Sequence, residues 1–153
     1  MLTDPASASA LLELLELAGR SMHSIGYADG LYPAQWTALR YFSKASDGRR
    51  TASALARFQG FANGPVSRTV RTLISKGLLR KADNQPAGRA EHLEVTDDAR
   101  TILGHDPALA IAEAISRLSD DEKEALERAL KEVISAASGV WPRDGKQANR
   151  REG

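Results

Sequence analysis

The sequence predicts a mainly α-helical fold with one small β-hairpin. Three observations lead there. Apolar residues recur at helical spacing in several stretches, beginning with Leu11, Leu14, Leu15, Ala18, Met22 and Ile25. Strict alternation is confined to one short stretch, where Leu93 and Val95 interleave with His92 and Glu94. Prolines, glycines and capping residues divide the chain into short segments between these patterns.

The first helix is expected over residues 8 to 26. Leu12 and Leu17 lie off its main stripe, so it calls for more than one packing partner. Gly26 and the pair Asp29-Gly30 end it. Pro33 opens a second helix, because its missing N–H would be unpaired in a first turn anyway. Trp36, Leu39 and Tyr41 or Phe42 carry that helix to about Ala45. After a turn at Asp47-Gly48, Thr51 is the N-cap of a short helix with Ala52, Leu55 and Phe58 inside. Gly60 ends it, and Phe61 is expected to tuck into the core.

The next helix starts near Asn63, with Pro65 in its first turn. Val66, Val70, Leu73 and Ile74 form one apolar edge; Arg68, Arg71, Thr72 and Ser75 fall on the other side. Gly77 stands where a glycine stops a helix. Residues 78–82 and 91–95 read as two short strands joined by a polar loop, Asp83 to Arg89. Thr96-Asp97-Asp98 caps another helix, which Pro107 kinks or restarts after Gly104. Ser119 and Glu122 form a capping box for a last helix with Leu126, Leu130, Val133 and Ala137 on one face. The tail from Trp141 is polar and is expected to fray.

Charge is segregated along this chain. Residues 40 to 92 hold 11 basic and 3 acidic side chains, a balance of +8. The segments on either side, residues 1 to 39 and 93 to 140, balance at −3 and −6. A basic middle between acidic flanks points to a polyanionic partner rather than to mere solvation of a surface. There are no cysteines, which excludes disulfides, thiol catalysis and thiolate metal sites. No apolar run approaches the roughly 18 residues of a membrane span. The N-terminus lacks the form of a secretory leader. A cytoplasmic protein is the expectation.

In sequence order, a short helix, a tight turn at Gly60, an arginine-bearing helix and a hairpin make a winged helix-turn-helix. An α-helix fits the major groove of DNA, where arginine pairs with guanine O6 and N7. The organisation read from this has four parts: a dimerisation helix at residues 1–30, a DNA-binding lobe at 31–98, C-terminal dimerisation helices at 99–140 and a flexible tail at 141–153. The fold class is thus mainly α with a small β-wing, a winged helix-turn-helix lobe plus dimerisation helices from both termini. Ser67, Arg68, Thr69, Arg71 and Thr72 are the candidate base readers. Arg49, Arg50, Lys76, Arg80, Lys81 and Arg89 are the candidates for phosphate or wing contacts.

Three stretches carry a closer resemblance: LYPAQWTALRYF from Leu31, SALARFQGFANGPVSRTVRTLISKGLL from Ser53, and the span from Gly77 to Val95-Thr96. Their joint spacing resembles that of the multiple-antibiotic-resistance regulator (MarR) family of bacterial winged-helix transcription factors, over about residues 8 to 138. Tyr32 and Phe61 stand where the family pattern has threonine and leucine, and the wing tip, Ala87-Gly88-Arg89, lacks an acid and one arginine. Surplus leucine on residues 11 to 17 and the apolar face from Leu126 to Ala137 point to a two-fold homodimer and so to a pseudo-palindromic operator, on which a repressor is expected. The resemblance implies a pocket between the DNA-binding lobe and the dimer helices for a small anionic aromatic effector. His23, Tyr27, Tyr32 and Trp36 lie where the chain enters that lobe and are the candidate pocket residues, with core or junction packing the favoured alternative.

An enzyme is not expected. His23, His92 and His105 have no zinc-ligand or triad spacing, and no glycine-rich phosphate loop follows a strand. No cofactor or metal is called for. The alternative to a DNA reader is a winged-helix protein-interaction module, against which the basic middle argues.

Overall fold

The computed structural model describes residues 6–60, 63–88 and 90–140. The chain divides into two compact units, Met1–Leu109 and Ala110–Gly153. The first unit holds α1 (Ala8–Ile25), α2 (Pro33–Lys44), α3 (Ala52–Gln59), α4 (Asn63–Ser75), the hairpin strands β1 (Leu79–Lys81) and β2 (Leu93–Val95), and α5 (Asp97–Leu103). Near its boundary begins α6 (Ala108–Ser116), and α7 (Asp120–Val140) follows.

Local chemistry sets these boundaries. Ser7 Oγ accepts from the Ala10 N–H, Thr51 Oγ1 from Ala54 and Thr96 Oγ1 from Ala99, each an N-cap of the kind that satisfies a first-turn donor. Pro33 stands in the first turn of α2, and Gln35 Oε1 accepts the Tyr32 N–H at 3.0 Å, so the helix is capped without a hydroxyl. Gly60 ends α3 in the left-handed region at φ +69°. At the end of α4 the Leu78 N–H reaches Leu73 O at 2.9 Å and the Gly77 N–H reaches Ile74 O at 3.0 Å. Those two bonds are a Schellman closure, which needs the positive φ of Gly77. Ser119 and Glu122 exchange hydrogen bonds as a capping box.

The core of the first unit sits around α2. Trp36, Leu39 and Phe42 from α2, Leu55 from α3, Leu73 from α4, and Leu79 and Leu93 from the hairpin are all fully buried. The Trp36 indole N–H donates to Ala28 O at 3.3 Å, so this large side chain brings no unpaired polar atom inside. The strands pair antiparallel, with Leu79 opposite Val95, Arg80 opposite Glu94 and Lys81 opposite Leu93. They are shorter than the alternation predicts, but the Ala82 N–H still bonds His92 O at 2.9 Å past their end. The Leu93 N–H also bonds Arg50 O at 2.8 Å, which ties the start of α3 to the hairpin.

Phe58 departs from expectation. It is 71% exposed and leaves the core. Leu55 and the small side chains of Ala54 and Ala56 form the buried face of α3, and the Phe58 ring lies instead 5.1 Å from that of half-buried Tyr41. Phe61 falls outside the described residues, as does the tail.

Asp106 is buried between α5 and α6. Arg40 donates to it twice, Nε to Oδ2 at 2.5 Å and Nη2 to Oδ1 at 2.6 Å. The Ala108 N–H adds a third bond at 2.8 Å. Burial pushes the Asp106 carboxyl up, but the Arg40 hydrogen bonds, the Ala108 N–H and the charges of Arg40 and Lys44 outweigh it and hold the carboxyl below its ordinary range.

The apolar stripe of α1 has no buried member, and Leu11, Leu12, Leu14, Leu17 and Met22 are each more than half exposed. In the second unit α7 likewise has no buried residue, and Leu130, Val133 and Ile134 are exposed. No described helix is long and apolar enough to cross a membrane.

Two stability measurements test these contacts. Asp106→Asn should cost about 1–3 kcal/mol at neutral pH, because a bidentate charge-assisted pair is lost while Arg40 keeps partial access to water. A carboxyl with a depressed folded pKa stabilises fully above its unfolded value of about 3.9, and that contribution is lost as pH falls through the folded value. Urea unfolding of the two proteins should therefore show a gap that narrows below about pH 4; a constant gap would exclude the pair as its source. Gly60→Ala meets no atom within 4 Å at its new Cβ, so its cost should be the left-handed backbone alone, about 1–2 kcal/mol. A neutral effect on the urea midpoint would show that the turn relaxes.

Candidate nucleic-acid interface

The site is built on α4, whose two sides differ in chemistry. Val66, Val70 and Leu73 are buried, and Ile74 is half-buried against the same core. Arg68, Arg71, Thr72 and Ser75 are exposed on the other side, while Ser67 and Thr69 are half-buried along the margins. Thr69 Oγ1 donates to Pro65 O at 3.2 Å and Thr72 Oγ1 to Arg68 O at 3.0 Å. Both hydroxyls thus keep acceptor capacity toward an outside partner. Neither Arg68 nor Arg71 forms an ion pair with a described acid.

A groove of about 440 Å³ runs beside α4. Ser67 and Arg71 line it together with Ser53 from the first turn of α3 and Glu91 from the hairpin. Ser53 was not among the residues that the sequence singled out. Its signal was its position, two residues after the Thr51 cap, at the helix end that approaches a phosphate chain in a helix-turn-helix.

The cations expected to meet phosphate are mostly engaged within the chain. Arg50 Nε donates to Ala45 O at 2.9 Å and its guanidinium pairs with Asp47 at 3.1 Å, so it holds the turn before α3. Lys76 Nζ donates to Gly30 O at 2.9 Å. Arg80 pairs with Glu94 across the hairpin and approaches Asp83 at 3.6 Å. Lys81 pairs with Glu91 at 2.9 Å. The antiparallel register sets Arg80 directly opposite Glu94, which the one-dimensional charge count did not show. These hairpin pairs are exposed, and exposed pairs are worth only about 0–1 kcal/mol, so phosphate competes for them at small cost. Arg49 is exposed, but it lines a different groove. Arg89 lies outside the described residues.

The four candidate pocket residues separate. Trp36 is fully buried in the core with its N–H satisfied, so it is packing and not a pocket wall. His23, Tyr27 and Tyr32 form an exposed edge-to-face ladder, with ring centroids 5.5 Å and 5.8 Å apart. The Tyr27 hydroxyl lies 3.3 Å from His23 Nε2. His92 Nδ1 is 2.9 Å from Asp47 O. Among the described residues no group of three or more His, Asp or Glu is placed to hold a metal.

Comparison with known proteins follows the same lines. Residues 29–90 match the model of the MarR family. No curated protein matches the chain. FabT of Streptococcus pneumoniae, solved in complex with DNA, superposes with a TM-score of 0.67 at 16% identity, covering 88% of this chain and 100% of that one. S. aureus MepR, in a DNA complex, superposes at 0.64 and 16% identity, covering 86% and 99%. A MarR family protein of Mycobacterium tuberculosis, in complex with salicylic acid, superposes at 0.56 and 20% identity, covering 86% and 99%. Residues 29–90 are thus similar to the MarR-family model, and the chain has the winged helix-turn-helix fold of these solved structures.

Proposed function

We propose that this chain is a sequence-specific DNA-binding transcriptional regulator. It acts in the cytoplasm as a homodimeric repressor on a pseudo-palindromic operator. One observation carries the reading: α4 buries Val66, Val70 and Leu73 and leaves Arg68, Arg71, Thr72 and Ser75 outward, without a described acidic partner for either arginine. A helix held by one edge presents the other as a fixed set of donors, which is what base readout in a major groove requires. In this reading Arg68 and Arg71 read bases, with Ser67, Thr69 and Thr72 beside them. Ser53 and the hairpin lysine and arginine meet the flanking phosphates.

The structures of FabT and MepR with DNA support that use of the fold. A protein-interaction module is the weaker reading, because a basic segment of +8 between acidic flanks suits a polyanion. The activity proposed is binding, with no catalysed step.

The dimer rests on the exposed stripe of α1 and the apolar face of α7, which a second copy would bury. Two recognition helices would then stand about 34 Å apart, one DNA turn. A small anionic aromatic, as in the salicylic acid complex of the mycobacterial relative, would relieve repression by favouring a dimer with wrongly spaced helices. The ladder of His23, Tyr27 and Tyr32 is where this reading seats it. A tenfold preference for that state, about 1.4 kcal/mol, is enough to shift occupancy.

The test separates readers from phosphate contacts. Arg68→Ala should cost about 1–3 kcal/mol on the operator and relax preference at particular base pairs. Lys81→Ala should weaken operator and scrambled duplex alike and lower the salt slope by about one unit or less, because Glu91 already competes for that lysine. Both variants are titrated on both duplexes at several salt concentrations. If Lys81→Ala changes sequence preference and Arg68→Ala does not, the roles are reversed.

A further inference from the structure

A groove of about 840 Å³ opens where the second half of α2, the turn after it and α3 meet. It shares no lining residue with the groove beside α4 or with the His23 ladder. Its apolar wall includes the rings of Tyr41 and Phe58. Arg40, Lys44, Arg49 and Arg57 supply its cationic lining, and among the described residues no carboxylate lines it. Arg40 is engaged with Asp106. Lys44, Arg49 and Arg57 form no ion pair with any described acid.

This arrangement is unfavourable while empty. Besides Arg40, three cationic side chains line the groove, with only the Asp106 carboxylate, already engaged by Arg40, acting on Lys44 from outside, and a phenyl ring is left in water although the core beside it is closed. One class of occupant relieves both. We propose that the groove binds an amphipathic organic anion, with an apolar or aromatic body against Phe58 and Tyr41 and an anionic head held by Lys44, Arg49 and Arg57. The volume suits a drug-sized molecule, since such sites run from about 300 to 1,000 Å³. A bare phosphate chain fits less well, because it would leave the aromatic wall uncovered. This site goes beyond the DNA-reading function and does not depend on it.

The probe is anilinonaphthalene sulfonate, an aromatic body with one anionic head, titrated into the full-length protein by calorimetry. Phenylnaphthylamine serves as its neutral counterpart and inorganic sulfate as the head alone. Phe58 and Arg57 are both exposed, so Phe58→Ala and Arg57→Glu should fold normally, which thermal unfolding confirms. Each is expected to weaken dye binding at least about tenfold, the equivalent of one charge-assisted hydrogen bond or one lost aromatic contact. Arg100→Ala, on α5 and outside both the groove and the His23 ladder, should leave the affinity unchanged. Equal dye affinity in wild type, Phe58→Ala and Arg57→Glu would overturn the proposal. So would neutral dye binding as tightly as the sulfonate, which would reveal a greasy patch, or sulfate binding as tightly as the dye, which would reveal a simple anion site.

Discussion

The burial of Val66, Val70 and Leu73 against the α2 core is the contact on which the rest depends. A thirteen-residue helix is marginal alone in water, so α4 owes its existence and its direction to that edge. The same contact decides which residues remain outside. Arg68 and Arg71 are exposed because the three apolar residues are not. The cap at Thr51, the left-handed turn at Gly60 and the Schellman closure at Gly77 fix where the helix and its neighbours begin and end. Function here is the unburied remainder of a packing solution.

A second constraint acts at long range. Arg40 and Asp106 are far apart in sequence, yet their bidentate pair joins α2 to the junction of α5 and α6. Asp106 also takes the Ala108 N–H, so one carboxylate both anchors α2 and starts the next helix. Its depressed pKa follows from these partners and keeps it charged at neutral pH. Lys44, near enough to contribute to that shift, faces the large groove with Arg49 and Arg57. The charge that stabilises the first unit therefore neutralises only part of the cationic surface beside it.

Helix order, hairpin and caps were legible because each has a short-range cause. Pro33, Thr51, Gly60, Gly77, Thr96 and the Ser119–Glu122 pair act within a few residues of themselves. The two sides of α4 were legible from period alone. What the sequence hid was whatever depended on pairing between distant segments. Phe58 was assigned to the core because its spacing allowed it, and only the fit of Leu55 with two alanines shows that it is left outside. The carboxylates that the hairpin register sets beside Arg80 and Lys81, Glu94 and Glu91, could not be read from the sequence. Nor could the closure of the turn at Asp47 by the Arg50 guanidinium. For Trp36 the sequence left pocket and core packing both open, and its burial with the indole bonded to Ala28 makes it a core element.

The central claim is that the outward side of α4 reads base pairs rather than charge alone. Selection of bound duplexes from a random DNA pool, carried out with the full-length protein at near-physiological salt, tests it most directly. The expected result is enrichment of a motif with two inverted half-sites whose centres lie about 10 base pairs apart, and loss of that enrichment in the double variant Arg68→Ala, Arg71→Ala. A pool that stays random while binding still falls steeply with salt would contradict the claim, because it would show contact with phosphates and no reading of sequence.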